Sequence, residues 1–167
     1  MNGVAIRPER NGDERAVSQI IARAFAGNSH SNGDEAQIIE RLRSALDLEA
    51  AYVAQTRWGR IVGQVAFSMV RIDGRECDWY GLGPIAVEPK RQGQGIGSAL
   101  VETGLAALRE LASAGCVVLG DPGFYARFGF APDPDLVFPG PPPENFMSLK
   151  MAGPPARGVV SYAPAFG

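Results

Sequence analysis

The chain has 167 residues, 46% of them apolar and 8% aromatic, which suffices for one sizeable core and is too short for two. Its 21 glycines and 13 prolines are about a fifth of the sequence, below the level that signals disorder, and collagen, coiled-coil and low-complexity classes are excluded. The 16 Lys and Arg nearly cancel 18 Asp and Glu, so no strong basic field is available for nucleic-acid phosphates.

The stretch Met1 to Pro8 has no apolar run of signal-peptide length, and nothing later approaches the ~18 apolar residues of a membrane span. A soluble cytoplasmic protein without a membrane or nucleic-acid partner is the expectation. After a short strand at Val4 to Arg7, the spacing of Ala16, Val17, Ile20, Ile21, Ala24 and Phe25 predicts a one-sided helix over Asp13 to Ala26. The polar segment Gly27 to Gly33 breaks it, and Ile38, Ile39, Leu42 and Leu46 resume the period over Asp34 to Leu46. Ala51 to Arg57 and Ile61 to Ile72 read as a hairpin around Trp58-Gly59-Arg60, and Gly74 marks a second turn. A further strand is predicted at Tyr80 to Val87, with a bulge at Gly83-Pro84.

The helix from Gly95 to Ala114 is the clearest in the chain, with Ile96, Leu100, Thr103, Ala107, Leu108 and Leu111 in one stripe and Gly104 allowing close packing. Cys116 to Leu119 predicts a buried strand. Cys77 and Cys116 lie far apart, without a second pair or a histidine at metal spacing, so neither a disulfide framework nor a metal site is suggested; Cys116 reads as a small buried hydrophobe. Residues 131–167 hold nine of the thirteen prolines, which argues against long regular elements there, with a strand expected at Phe146 to Met151. The order of elements predicts a mixed sheet covered by helices in one domain, 1–167, with a Pro-rich C-terminal arm at 131–167.

The most informative stretch is Glu88-Pro89-Lys90-Arg91-Gln92-Gly93-Gln94-Gly95-Ile96-Gly97-Ser98, which joins a strand end to the strong helix. Glycines at 93, 95 and 97 free the backbone to turn and leave amides converging at a helix N-terminus, a place that attracts phosphate. Lys90 and Arg91 add positive charge. A Walker-type loop is disfavoured because no Gly-Lys-Ser or Gly-Lys-Thr follows, and a Rossmann loop because the motif sits in mid-chain after a hairpin. A plain capped turn is the bland alternative; the strand-to-helix setting favours another phosphate-bearing cofactor.

These residues resemble the GNAT acetyltransferases. Their first hallmark is Gln or Arg, two residues, Gly, one residue, then Gly or Ala, and it stands here as Gln92-Gly93-Gln94-Gly95-Ile96-Gly97. Their second, an aromatic-Tyr pair shortly before Gly-Phe, stands as Phe124-Tyr125-Ala126-Arg127-Phe128-Gly129-Phe130. The Gly-Leu-Gly-Pro-Ile-Ala-Val run, the Leu-Gly-Asp-Pro run at 119–122 and the Pro-rich tail are similar to the bacterial YhbS-like subgroup, and the resemblance covers nearly the whole chain.

The resemblance implies an α/β (α+β) fold: a mixed, mostly antiparallel sheet with a splayed central strand pair and helices on both faces. It also implies acetyl-CoA as cofactor and transfer of an acetyl group to a primary amine, of a small molecule or of a protein. The amides of Gln92, Gly93, Gln94, Gly95, Ile96, Gly97 and Ser98 would hold the pyrophosphate, while the backbone of Ile85, Ala86 and Val87 would pair with the pantetheine arm. The Ile85 amide would face the thioester carbonyl as an oxyanion donor, and Tyr125 would be the general acid to the CoA thiolate, its alternative being an aromatic core residue like Phe124 and Phe128.

No general base stands out. Asp78 is the nearest carboxylate before Gly83, Glu88 reads as a solvated turn residue, Asp121 as a cap for the helix after Pro122, Glu35 as a first-turn residue and the single histidine, His30, as an exposed loop side chain. A base acting through water is the remaining route. In this fold the connection at Gly27 to Gly33 and the tail, with Phe138, Phe146, Tyr162 and Phe166, select the acceptor, and the late strands predict a homodimer. A second reading is a non-catalytic acyl-CoA sensor or interaction module, kept open by the missing carboxylate before Gly83. A third, a nucleotide-binding protein, would require magnesium-dependent ATP or GTP affinity.

Overall fold

The computed structural model describes residues 3–29 and 31–167, and His30 lies outside them. In chain order the elements are β1 (Val4–Pro8), α1 (Glu14–Phe25), α2 (Glu35–Ser44), β2 (Leu48–Thr56), β3 (Ile61–Ile72), β4 (Arg75–Val87), α3 (Ile96–Glu110) and β5 (Gly115–Leu119). A short α4 (Pro122–Tyr125) follows, then β6 (Leu136–Val137), β7 (Phe146–Lys150) and β8 (Gly158–Ser161). The chain divides into two compact units, Met1–Phe67 with Gly83–Gly104, and Ser68–Leu82 with Leu105–Gly167.

In the first unit β1 pairs antiparallel with β2, from Val4 opposite Thr56 to Pro8 opposite Tyr52, and β2, β3 and β4 follow as neighbours. The apolar stripes of α1 and α2 are buried at Val17, Ile20, Ile21, Ile39 and Leu42. Asp13 precedes α1, but its carboxylate does not cap the helix. It accepts hydrogen bonds from both terminal nitrogens of Arg7, at 2.7 and 3.0 Å, and from the Arg10 amide at 2.9 Å. Helix α3 packs closely on β3 because two glycines remove side chains. A Cβ at Gly63 would lie 3.1 Å from Leu100 Cδ1, and one at Gly104 would lie 2.0 Å from Phe67 Cε2.

In the second unit β4 and β5 run parallel, pairing Trp79 with Gly115, Tyr80 with Cys116 and Gly81 with Val117, and the ladder ends there although both strands continue. Antiparallel β7 flanks β5, β8 joins β3 antiparallel at Arg71 and Ile72, and β6 lies parallel to β8. The core beneath is Val70, Ile72, Trp79, Val117, Leu136, Phe146 and Val160. Asp73 fastens β8 twice, its amide donating to Val159 O at 2.9 Å and its carboxylate accepting from the Val159 amide at 2.9 Å. The mixed, mostly antiparallel sheet with helices is the fold class that the resemblance implies.

Three readings need correction. Strand β4 starts at Arg75 rather than near Tyr80: the Asp73-Gly74 turn, with φ of 51° and 75°, reverses the chain in two residues, and the polar run that follows hides the strand because its side chains are mostly exposed. Helix α3 ends at Glu110, where Ala112 turns left-handed at φ 56° and the Ser113 amide closes on Leu108 O at 3.1 Å, so Leu111 falls outside the stripe and is 57% exposed. Phe124 and Phe128 are half-buried rather than core. Among the described residues no helix is long and apolar enough to cross a membrane.

Candidate active site

The cofactor candidates Ile85, Ala86, Val87, Gln92, Gly93, Gln94, Gly95, Ile96, Gly97 and Ser98 form one strand–loop–helix passage in the first unit. Along the end of β4, Pro84 and Ala86 are buried while Gly83, Ile85 and Val87 are half-buried, so one row of this strand faces outward. Gly83 adopts φ 146° before a cis bond to Pro84, and the buried Gln64 donates from Nε2 to Pro84 O at 3.0 Å.

Glu88 is not solvated. Its amide donates to Val62 O at 2.8 Å, and its buried carboxylate accepts a 2.9 Å hydrogen bond from Arg23, with Arg60 3.7 Å away. The Arg23 hydrogen bond holds its carboxyl below the usual glutamate range, against the opposing effect of desolvation. Position 88 therefore anchors the start of the loop. Sequence periodicity could not reveal this, because Arg23 lies 65 residues away.

Beyond Glu88 one 3-10 turn at Pro89–Arg91 carries both cations, and Gln92 reaches back from Nε2 to Val87 O at 3.1 Å. Gly93 and Gly95 have φ of 78° and 88°, and a Cβ at either would meet no other atom within 4 Å. Glycine is thus required there by dihedral angle, and the space in front of the loop is clear. The first bond of α3 runs from the Ala99 amide to Gly95 O at 3.0 Å. Among the described residues none accepts from the Gly95, Ile96 or Gly97 amides in hydrogen-bonding geometry, so the positive end of a 15-residue helix presents free donors beside Lys90 and Arg91. Such a cradle fits a pyrophosphate.

Tyr125 belongs to the second unit. Asp121 caps α4 as expected, its carboxylate accepting from the Gly123 amide at 2.9 Å. Gly120 is fixed from both sides by Asn145, donating to its carbonyl O at 2.9 Å and accepting from its Nδ2 at 3.0 Å. A Cβ at Gly120 would lie 2.5 Å from Tyr125 Cε2, so this position also sets the ring. Edge contacts with Phe124 at 4.9 Å and Phe130 at 5.9 Å complete the setting. Desolvation, then Cys116 and Asp121, push the Tyr125 phenol up to about 12, and it keeps its proton across the neutral range.

Cys116 is fully buried, and burial pushes its thiol up, in accord with a packing role. Of the other carboxylates weighed as bases, Asp78 is exposed with φ 60° and Glu35 sits in the first turn of α2. Sequence reasoning missed Arg23, Gln64 and Asn145 as supports, since each acts through a distant backbone or carboxylate.

A family model for the acetyltransferase (GNAT) domain matches residues 47–132. The uncharacterized N-acetyltransferase YhbS of Escherichia coli strain K12 is 38% identical over 125 residues, 75% of this chain and 72% of that one. A GNAT family acetyltransferase of Brucella melitensis, solved in complex with acetyl-CoA, is 40% identical with a TM-score of 0.88, over 100% of both chains. The structure of YhbS from Escherichia coli in complex with CoA is 33% identical with a TM-score of 0.89, covering 98% of this chain and 91% of that one. With the first hallmark motif at a strand–helix junction and the second carrying the buried Tyr125, this chain belongs to the GNAT acetyltransferase family.

Proposed function

We propose that this enzyme transfers the acetyl group of acetyl-CoA to a primary amine, of a small molecule or of a protein, by direct attack in a ternary complex. The observation that carries the reading is the loop at Gln92 to Ser98, where the unsatisfied Gly95, Ile96 and Gly97 amides and the neighbouring cations suit a pyrophosphate. The Brucella relative in complex with acetyl-CoA supports the choice of cofactor.

In this reading Gln92, Gly93, Gln94, Gly95, Ile96, Gly97 and Ser98 grip the pyrophosphate through their backbone, and Ile85, Ala86 and Val87 pair with the pantetheine arm as an added strand would. The amine nitrogen attacks the thioester carbon, the Ile85 amide stabilises the charge that develops on the carbonyl oxygen, and the C–S bond breaks. Tyr125 gives its proton to the departing thiolate, and the nitrogen loses a proton to water. Glu88 is unsuited as base because Arg23 keeps its carboxylate engaged and weakly basic. Residues 1–167 act as one acetyltransferase domain with the arm 131–167 included, and the family match at 47–132, which takes in residues of both units, supports this. A homodimer through the late strands completes the proposal, with light scattering as its check.

Calorimetric titration with acetyl-CoA, with CoA and ATP as controls, tests the reading. Micromolar acetyl-CoA binding that is lost in Gly95→Glu, followed by turnover in an amine panel, is the expected result. Absence of binding to the unaltered protein overturns it, and binding without turnover of any amine favours a non-catalytic acyl-CoA sensor.

A further inference from the structure

Gln64 stands in β3 among the buried apolar residues Val62, Val65, Ala66 and Phe67 and is itself only 2% exposed. An amide buried in such company is costly unless it is hydrogen-bonded, and a leucine or methionine would fill the place without that cost. Its partner therefore says what it is for. Nε2 donates to Pro84 O at 3.0 Å, and Gln64, Pro84 and Ile85 all belong to the first unit.

Pro84 O is one end of the peptide group whose other end is the Ile85 amide. That peptide is trans, so its C=O and N–H point in opposite directions. A donor reaching Pro84 O from β3 thus holds the Ile85 N–H on the far side of the strand, and the ladder of β4 with β5 has already stopped at Gly81. The pairing of the strand agrees. The Glu88 amide points at Val62 O in β3, and alternation along β4 turns the Ile85 amide away from β3. A hydrogen bond received at the carbonyl also polarises the peptide and strengthens its N–H as a donor.

Resting on the acetyltransferase reading above, in which the Ile85 amide faces the thioester carbonyl, we propose that Gln64 is a positioning residue for the acyl-transfer step. It acts through Ile85 rather than by touching cofactor or amine. It fixes the plane of the Pro84–Ile85 peptide and strengthens the Ile85 N–H for the charge that develops on the carbonyl oxygen. Its contribution is to the rate and not to acetyl-CoA affinity.

The test compares the unaltered protein with Gln64→Met, which keeps the length of the side chain and removes the donor. Turnover, kcat, is expected to fall roughly 10-fold, less than the roughly 10²–10³ of losing an oxyanion donor outright, while KM and Kd for acetyl-CoA hold within about 2-fold. Pro-Ile occurs once in the chain, at 84–85, so isotope labelling of proline carbonyls and isoleucine nitrogens isolates the Ile85 amide in a carbonyl-correlated NMR spectrum. In the unaltered protein this resonance is expected to move further downfield with acetyl-CoA than with CoA, and in Gln64→Met that difference shrinks; a residue that only stabilised the strand would leave it unchanged. An unaltered kcat, or a loss confined to KM, Kd or thermal stability, overturns the proposal. Should Gln64→Met not fold, the side-chain amide resonance of Gln64 in the unaltered protein is expected to differ between the acetyl-CoA and CoA complexes, and no difference overturns the proposal. Failure of the unaltered protein to bind acetyl-CoA overturns the acetyltransferase reading itself, a result obtained before any variant is made.

Discussion

Arg23 and Glu88, 65 residues apart, meet at 2.9 Å and tie α1 to the backbone from which the glycine loop departs. Because the backbone amide of Glu88 also donates to Val62 O, the loop begins from a braced point rather than from a free turn. Replacing Glu88 by Gln keeps the shape and removes the charge that engages Arg23. Acetyl-CoA affinity is expected to fall several-fold, with Arg23→Ala giving a similar loss, and titration calorimetry of both variants checks it. Equal affinity in both would show that the brace does not position the loop.

Tyr125→Phe removes only the proton donor from a well-packed ring. Turnover is expected to fall by about 10²-fold, at the lower end of general acid catalysis, with acetyl-CoA affinity unchanged. Since the Tyr125 phenol is pushed up to about 12, the rate of the unaltered enzyme is expected to show no loss from this group between pH 6 and pH 10. A pH–rate profile of both proteins reads the two effects together.

Arg7 and Asp13 predict an acid-sensitive fold. The Arg7 hydrogen bond is the largest influence on the Asp13 carboxyl and holds its pKa below the ordinary 3.8, despite desolvation. A depressed carboxyl contributes stability that is present above its unfolded pKa and is lost as pH falls through the folded one, so the window opens below about pH 4. Thermal unfolding at pH 7 is expected to show Asp13→Asn destabilised by about 1.5–3 kcal/mol, the range for a hydrogen bond to a charged partner, with the difference shrinking at pH 3.

Gly104→Ala would drive a methyl group into Phe67, whose Cε2 lies 2.0 Å from the position it must take. The gain in helix propensity from replacing glycine, about 1 kcal/mol, is smaller than the overpacking, about 1–3 kcal/mol, so the net effect is destabilisation. Chemical denaturation measures it, and a stabilised variant would show that the ring can move aside.

The parts of this molecule that repeat locally could be read in advance. Helices α1 and α2 declare themselves by apolar spacing, and the glycine loop by its place between a strand and a helix. What stayed hidden was long-range or compensated. The first residues of β4 carry no alternation because their side chains are mostly exposed, and Glu88 reads as solvated until Arg23 arrives from another element. Gly81, Gly104 and Gly120 look alike in sequence, yet each makes room for a different ring, from Tyr162, Phe67 and Tyr125. Spacing shows that a side chain is missing; only the fold shows for whom.

The double hydrogen bond between Asp73 and Val159 also bears on how the Pro-rich arm is kept. Strand β8 is fastened to a tight turn of distant sequence by one residue, and it continues the antiparallel pairing on β3. Its attachment thus does not depend on the covalent chain that leads into it from β7. A cut between Met151 and Arg157 is expected to leave β8 docked, two fragments migrating as one particle under native conditions, and Asp73→Ala, which removes the carboxylate bond and keeps the amide one, to weaken that association.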